Sequence, residues 1–392
     1  MPALPTIVHL DADAFFVSCE LALRPELRGT KCAVGGQERG IISSASYEAR
    51  ACGVYTPMPT QRALKVCPDL IMLEHTSGLY GQTSRAMFDL CETVTPLVQR
   101  NSVDEGYLDL GPCGCRTTDE IVSRMRGLQE RIWSELQIPV SIGIATNKLV
   151  SQIASKLCKP RGFVVVAPGE EQSFLAPLPI GKLPGVGGKT EVVLQQQGLQ
   201  KVGDILTRND SELQAIFGQG WREMTATARG EDGSPVHTDH DDAKSYSQQE
   251  TFGTDISDRA EIERVLKRMI DSLLAKIRED GKRVRTMTLK VRYPDFTQES
   301  HGRSLPEAMD IEAPFYPLVI PLLGRVWRKN RPLRLVSVRF SGVEDGPAQL
   351  EMFARTNEKR RKLAQVMDRL NRAGISGGIQ HGHQLANRKK SI

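Results

Sequence analysis

A polar stretch, Glu231-Asp232-Gly233-Ser234-Pro235 through Asp239-His240-Asp241-Asp242, divides this chain into two parts that each mix strand and helix signals. Beyond it, residues 244–343 read as strand, helix, strand, strand, helix, strand, a compact α+β unit whose last strand spans 333–340. Before it, a strand ends at Leu10 and a helix follows with Phe16, Cys19 and Leu23 on one face. Lys31-Cys32-Ala33-Val34-Gly35 reads as a short strand, and Ile41-Ile42 leads through small residues to a helix at Tyr47-Glu48-Ala49-Arg50. Residues 80–94 are helical in period, 96–110 read as a hairpin, and a helix over 118–136 precedes the strand Val140-Ser141-Ile142-Gly143-Ile144. This mixed order predicts an α+β sandwich, not a doubly wound sheet. Pro177, Pro179 and Pro184 then punctuate short helices up to about Gly230. A tail from 344 carries one amphipathic helix, with Leu363, Val366, Met367 and Leu370 at helical spacing.

At 392 residues the chain has room for two or three domains with separate cores. Its longest apolar runs, such as Phe163-Val164-Val165-Val166-Ala167, are far too short to span a bilayer. The first strand begins almost at the N-terminus, leaving no space for a signal peptide, so a cytoplasmic protein without a membrane partner is expected. The eight cysteines are scattered singly apart from Cys113 and Cys115, which argues for reduced thiols and against zinc or disulfides. A net charge of +5 says little, but its distribution says more. Lys282, Arg283, Arg285, Lys290 and Arg292 share one strand-like segment with no acid among them, the footprint of a nucleic-acid contact or of a solvated face.

The acids are the chemical signal. Asp11 ends the run Ile7-Val8-His9-Leu10, and Asp104-Glu105 interrupts a second apolar segment. Carboxylates gathered from these places repel one another unless a cation lies between them, and oxygen donors select a hard divalent ion, most plausibly magnesium working on phosphates. Side chains of consecutive strand residues face opposite ways, so Asp104 and Glu105 can share a site only if the backbone bends there. Gln99-Arg100-Asn101-Ser102 supplies a turn just before them, and Gly106 permits the departure from regular geometry.

Four motifs in order now resemble the Y-family DNA polymerases, the translesion enzymes of the DNA polymerase IV (DinB) and UmuC type. They are Asp11-Ala12-Asp13-Ala14-Phe15-Phe16, Ser46-Tyr47-Glu48-Ala49-Arg50, Ser102-Val103-Asp104-Glu105, and Asn147-Lys148 up to Lys159-Pro160-Arg161-Gly162. The resemblance runs from about residue 5 to 343. It implies a right-hand polymerase: palm and fingers over 1–173 (fingers about 24–77), a helical thumb over 174–232, a linker over 233–243, a little finger over 244–343 and a tail over 344–392.

The same resemblance implies site roles. Asp11, Asp104, Glu105 and the carbonyl of Ala12 would hold two Mg2+ ions. Phe16 would be the steric gate that excludes a 2′-hydroxyl, with Phe15 in the core. Tyr47, Arg50 and Lys159 would contact the triphosphate. Ser43, Ser44 and Ala45 would form a small-residue roof over the nascent pair. Leu183-Pro184-Gly185-Val186-Gly187-Gly188-Lys189 resembles a helix-hairpin-helix, which makes Gly185, Gly187 and Lys189 DNA contacts. Lys148, Arg283 and Arg285 would join them along primer-template DNA, without reading sequence. Gln349-Leu350-Glu351-Met352-Phe353 resembles the peptide that enters the bacterial sliding clamp, through Gln349, Leu350, Met352 and Phe353. Residues 377–382 resemble a UmuC tail. A low-fidelity, monomeric enzyme using deoxynucleoside triphosphates follows from the resemblance; an inactive scaffold of a mutagenesis complex is the alternative. Two positions depart from the pattern: Gly106 replaces a small side chain, with loosening of the metal site as the expected effect, and Gln152 stands where a lysine is common.

Overall fold

The computed structural model describes residues 4–37, 39–238, 242–328, 331–346 and 355–372. Its contacts divide the chain into two compact units, Met1–His240 and Asp241–Ile392.

The first unit is built on strand β1 (Ile7–Ala12) and helix α1 (Phe15–Leu23). A small subdomain follows: β2 (Cys32–Gly35), β3 (Ile42–Ala45), α2 (Tyr47–Ala51), α3 (Thr60–Val66) and β4 (Ile71–Leu73). The chain returns through α4 (Leu79–Glu92), β5 (Val98–Arg100), β6 (Glu105–Asp109), α5 (Thr118–Leu136), β7 (Val140–Ala145), α6 (Lys148–Leu157) and β8 (Phe163–Val165). Five strands pair in the order β5-β6-β1-β7-β8, which puts β1 at the centre. β1 has nearly every side chain buried, as a strand covered on both faces must. Helix α5 shows the local logic. Thr117 accepts from the Glu120 amide as N-cap, Asp119 and Glu120 favour the first turn, and Ile121, Met125, Leu128 and Ile132 form the buried stripe.

Short helices complete this unit: α7 (Glu171–Leu175), α8 (Gly188–Gln196), α9 (Val202–Ile205), α10 (Asp210–Phe217) and α11 (Trp221–Arg229). Their core joins Leu175, Leu194, Val202 and Leu213 to Val150 and Ile153 of α6.

In the second unit β9 (Ser245–Ile256), α12 (Arg259–Glu279), β10 (Lys282–Arg292), β11 (Gln298–Met309), α13 (Tyr316–Val326) and β12 (Leu333–Asp345) form a four-stranded sheet, β11-β10-β12-β9, packed on two helices. The element order is the expected one, with β12 running five residues further than the expected end at 340. A last helix, α14 (Arg355–Arg372), docks on α12 through Arg278, which reaches Asp368 at 2.7 and 3.1 Å and Glu312 at 2.8 Å.

Two expected faces differ. Leu23 is 57% exposed because α1 ends there; of the expected face Cys19 is buried and Phe16 half-buried, and the helix also buries Phe15, as expected, and Val17. In α14, Leu363 and Val366 are exposed, Met367 and Leu370 are half-buried, and Ala364 is buried beside the charged clasp, so the docked face combines part of the apolar stripe with ion pairs.

Candidate active site

The sheet brings the first acid to the acidic pair. In register, Asp11 lies opposite Glu105, and the Ala12 amide donates to the Asp104 carbonyl at 2.8 Å. β6 begins only at Glu105, so Asp104 lies in the bend before it. There Ser102 Oγ accepts from the amides of Asp104 and Glu105 at 3.2 and 3.1 Å and donates to Asp104 Oδ1 at 2.5 Å. The required bend is thus built from a serine turn, and it removes the objection that adjacent strand residues face opposite ways.

Gly106 has a steric reason. A Cβ there would stand 2.6 Å from the Gln99 carbonyl oxygen and 2.7 Å from Phe88 Cε1. The Phe88 ring, fully buried, fills the place of the missing side chain, so Gly106 leaves no void in the hairpin.

Beyond Ala12 the chain reverses through Ala14, whose φ of +46° is the left-handed conformation, costly by about 1 kcal/mol for a side chain with Cβ. That turn brings Asp13, absent from the expected site, into the centre. Asp13 is fully buried and accepts from Ser141 Oγ at 2.9 and 3.0 Å, from the Arg161 amide at 2.8 Å and from Tyr47 Oη at 3.3 Å. It ties α2 and the 159–162 turn to the sheet. In the sequence it stood within the motif Asp11-Ala12-Asp13-Ala14-Phe15-Phe16, two residues from Asp11, with no role of its own assigned.

Two lysines supply the counter-charge. Lys159 Nζ bonds Asp11 and lies 3.5 Å from Asp13, and Lys156 Nζ lies 3.1 Å from Glu105. Lys156 follows Gln152 by one turn of α6, so that helix carries a cation on the Gln152 side at the next turn. Burial, reinforced by Glu105, pushes the Asp11 carboxyl up to about 6 despite Lys159. His9, buried below Glu105, is pushed down to about 3 by burial and by Lys156 and Lys159, hence neutral. Its Nδ1 meets Ser155 Oγ at 2.7 Å and its Nε2 is 3.9 Å from Glu105.

Among the described residues no three His, Cys, Asp or Glu side chains are already arranged around one metal position. The donor chemistry nevertheless fits a hard cation. Asp11 and Glu105 are cross-strand neighbours, all donors are oxygens, and the protein fills the need for positive charge with ammonium groups.

The remaining candidates divide. Phe16 is half-buried and packs on Tyr80, ring centroids 4.5 Å apart. Arg50 lies 4.8 Å over the Tyr47 ring and donates Nε to the Ala45 carbonyl at 3.0 Å. Burial and the Asp13 carboxylate raise the Tyr47 phenol above its ordinary value. Ser43 is exposed on edge strand β3, whereas Ser44 and Ala45 point inward, so of the three-residue roof only Ser43 is available. Lys148 is engaged internally, with Nζ 3.0 Å from Gln99 Oε1 and 3.3 Å from the Pro235 carbonyl. Gly185 takes φ +83°, Gly187 is the N-cap of α8, and no side chain caps those amides; Lys189 is exposed in the first turn. On β10, Arg285 is exposed and Arg283, Lys290 and Arg292 are half-buried, alternating with the core residues Val284, Leu289 and Val291. Lys282 leaves this basic set: Asp242 at 2.6 Å and Asp345 neutralise it, partners invisible within the segment itself. Arg339, exposed on β12 opposite Thr288, is a cation the sequence pattern did not single out. Gln349, Leu350, Met352 and Phe353, and residues 377–382, lie outside the described residues.

A carboxylate pair on the central strands of a mixed five-stranded sheet, a small subdomain whose helix α2 carries Tyr47 and Arg50, and a separate basic α+β unit are the parts of a nucleic-acid polymerase. Comparison with known proteins agrees. Residues 10–156 match the impB/mucB/samB family, residues 243–352 its C-terminal domain, and residues 168–199 the IMS family HHH motif. DNA polymerase IV of Opitutus terrae is 73% identical over 98% of this chain and 98% of its own. DNA polymerase IV of Alkalilimnicola ehrlichii is 36% identical over 88% and 99%. Among solved structures, a Y-family DNA polymerase chimera of Dbh and Dpo4 superposes with a TM-score of 0.77 at 26% identity, covering 87% of this chain and 99% of that one. An insertion ternary complex of Dbh DNA polymerase gives 0.62 at 26% identity over 87% and 99%. The chain belongs to the Y-family DNA polymerases of the DinB type, a family that needs divalent metal ions, and it is a DNA-directed DNA polymerase with an α+β fold and a C-terminal little finger. Among the described residues, no helix is long and apolar enough to cross a membrane.

Proposed function

We propose that this polymerase extends primers with low fidelity across damaged template, using two Mg2+ ions held by Asp11, Asp104, Glu105 and the Ala12 carbonyl. The observation that carries the reading is the register of Asp11 against Glu105, with Asp104 tied to Ala12 by its backbone. Bound there, the ions supply a lowered pKa for the primer 3′-hydroxyl and neutralise charge on the triphosphate and leaving pyrophosphate.

The protein groups do the rest. Lys159, now paired with Asp11 and Asp13, exchanges its carboxylate for a triphosphate oxygen, joining Arg50 and Tyr47 as phosphate partners. Asp13 holds Tyr47 and the 159–162 turn in place for that contact. The Phe16 ring stands under the incoming sugar and leaves no space for a 2′-hydroxyl. Ser43 presents little bulk to the nascent pair, so distorted templates are accepted at the expense of accuracy. Residues 1–173, with fingers at about 24–77, serve as palm and fingers, 174–232 as thumb, 233–243 as linker and 244–343 as little finger. The α8 amides with Gly185, Gly187 and Lys189, together with Lys148, Arg283 and Arg285, grip the DNA backbone. Gln349, Leu350, Met352 and Phe353 engage a bacterial sliding clamp, and the enzyme works as a cytoplasmic monomer.

Primer extension at varied Mg2+ tests the metal claim. Activity must vanish on chelation and return with a dependence steeper than first order. Extension that persists after exhaustive chelation overturns it. For the clamp claim, Phe353→Ala must lose stimulation by added clamp while keeping its unstimulated rate; equal stimulation refutes it.

A further inference from the structure

Among the described residues of the first unit, one carboxylate outside the acidic centre is also fully buried. Glu20 is fully buried on α1. Its Oε1 accepts from the Thr76 amide at 2.8 Å and from Tyr80 Oη at 2.9 Å; its Oε2 accepts from Thr76 Oγ1 at 2.9 Å and from Arg24 at 2.6 Å. Desolvation alone would raise this carboxyl, but the four donors outweigh it and hold it below its ordinary range. A carboxylate this thoroughly solvated by protein is a rigid anchor, and none of the chemistry proposed above uses it.

The anchor is aimed at the proposed sugar barrier. Phe16 and Glu20 lie one turn apart on α1, and Thr76 and Tyr80 are likewise four residues apart where the chain enters α4. Glu20 grips Thr76 and the Tyr80 hydroxyl, while Phe16 packs on the Tyr80 ring, centroids 4.5 Å apart and planes inclined by 32°. His75 also meets that ring, in a T-shaped contact with centroids 4.7 Å apart. A ring excludes a hydroxyl only if it cannot swing away. Tyr80 is the surface that stops Phe16 from doing so, and its own position is set by Glu20.

We propose that Glu20 is a positioning residue for sugar selection: acting through Thr76 and Tyr80, it fixes the backing of Phe16 without touching the nucleotide. The proposal rests on Phe16 being the barrier to the 2′-hydroxyl.

The experiment measures kcat/KM for one templated deoxynucleotide and the matching ribonucleotide, in the full chain with Mg2+ and primer-template. Glu20→Gln, Tyr80→Phe and Phe16→Ala are compared with the parent. Tyr80→Phe keeps the ring and removes only the hydroxyl, so it decides the matter if Glu20→Gln does not fold. Losing one such bond should raise ribonucleotide use relative to deoxynucleotide by about fivefold in Tyr80→Phe, and by more in Glu20→Gln, with deoxynucleotide kcat/KM kept within about threefold. If Phe16→Ala loses discrimination but Tyr80→Phe and Glu20→Gln keep the parental ratio, the proposal fails and the barrier reading stands. An equal fall with both nucleotides also overturns it, since that is the mark of a structural role alone. If Phe16→Ala itself keeps full discrimination, the barrier reading fails and takes the proposal with it.

Discussion

Adding a single methyl group at position 106 tests how the acidic hairpin is held. In Gly106→Ala the new Cβ meets the Gln99 carbonyl oxygen at 2.6 Å and Phe88 Cε1 at 2.7 Å, both closer than real Cβ atoms approach. The carbonyl belongs to β5, paired with β6 through Gln99↔Tyr107 and Arg100↔Gly106, so it cannot withdraw without opening that pairing. The Phe88 ring is fully buried, with the Arg100 guanidinium 5.0 Å from its centroid, and has little space to move. Overpacking of this kind costs about 1–3 kcal/mol. Against it stands the lower conformational entropy of alanine in a strand, about 0.5–1 kcal/mol in favour of the variant. The clash wins, leaving a net loss of roughly 1–2 kcal/mol, which is a fall in Tm of about 2–8 °C for a unit of this size. Because Glu105 is the next residue, its carboxylate shifts with the hairpin, and misplacement approaching an ångström costs up to about 100-fold in rate. Differential scanning calorimetry and primer extension give both numbers. Adding Phe88→Leu removes the ring contact but not the carbonyl contact, so it should recover part of the loss. A Gly106→Ala protein with parental Tm and parental rate would refute the steric account.

Other outcomes follow from buried charge. A carboxyl standing near pH 6 against an ordinary 3.8 destabilises the fold once ionised, by about 2–3 kcal/mol. The penalty is absent below about pH 4, grows as pH rises toward 6 and is complete above it. Asp11→Asn, without divalent cations, should therefore be more stable than the parent at pH 7.5 and nearly equal to it at pH 4, by chemical denaturation; a difference that shrinks with rising pH contradicts the assignment. Arg278→Ala strands Glu312 and Asp368, 2.8 and 2.7 Å from the guanidinium, and should destabilise the second unit by about 3 kcal/mol or more, seen as a lower denaturation midpoint and early cleavage of α14 by protease. An unchanged midpoint would mean the clasp contributes nothing.

Much of this architecture was legible because period and punctuation are local. Alternating apolar residues and the 3.6-residue stripe of α5 announced their elements, and the β5–β6 hairpin was legible too, although the turn expected at 99–102 falls at 101–104, because Gln99 and Arg100 pair in β5. What stayed hidden depends on partners far along the chain. Asp13 looked like one more acid after Asp11 until Ser141 and Arg161 closed on it from β7 and the 159–162 turn. Lys282 read as part of a basic strand until Asp242 and Asp345 reached it. Ser44 and Ala45 are buried where Ser43 is exposed; the strand's alternation separates only Ser43 from Ser44, and a register shift that leaves Ser43 unpaired against β2 accounts for the rest. Leu363 and Val366 had the same helical spacing as Met367 and Leu370, yet only the latter two are half-buried, because the ion pairs of Asp368 and Arg361 turn that side toward the domain.

The central claim is that the acids gathered at the end of β1 carry the chemistry. Its most direct test is templated primer extension by an Asp104→Ala/Glu105→Ala double variant, with folding checked by thermal unfolding in the same buffer. Loss of about three orders of magnitude or more in rate, with cooperative unfolding retained, is the predicted result. A folded double variant that still extends primers within about tenfold of the parent would contradict the account.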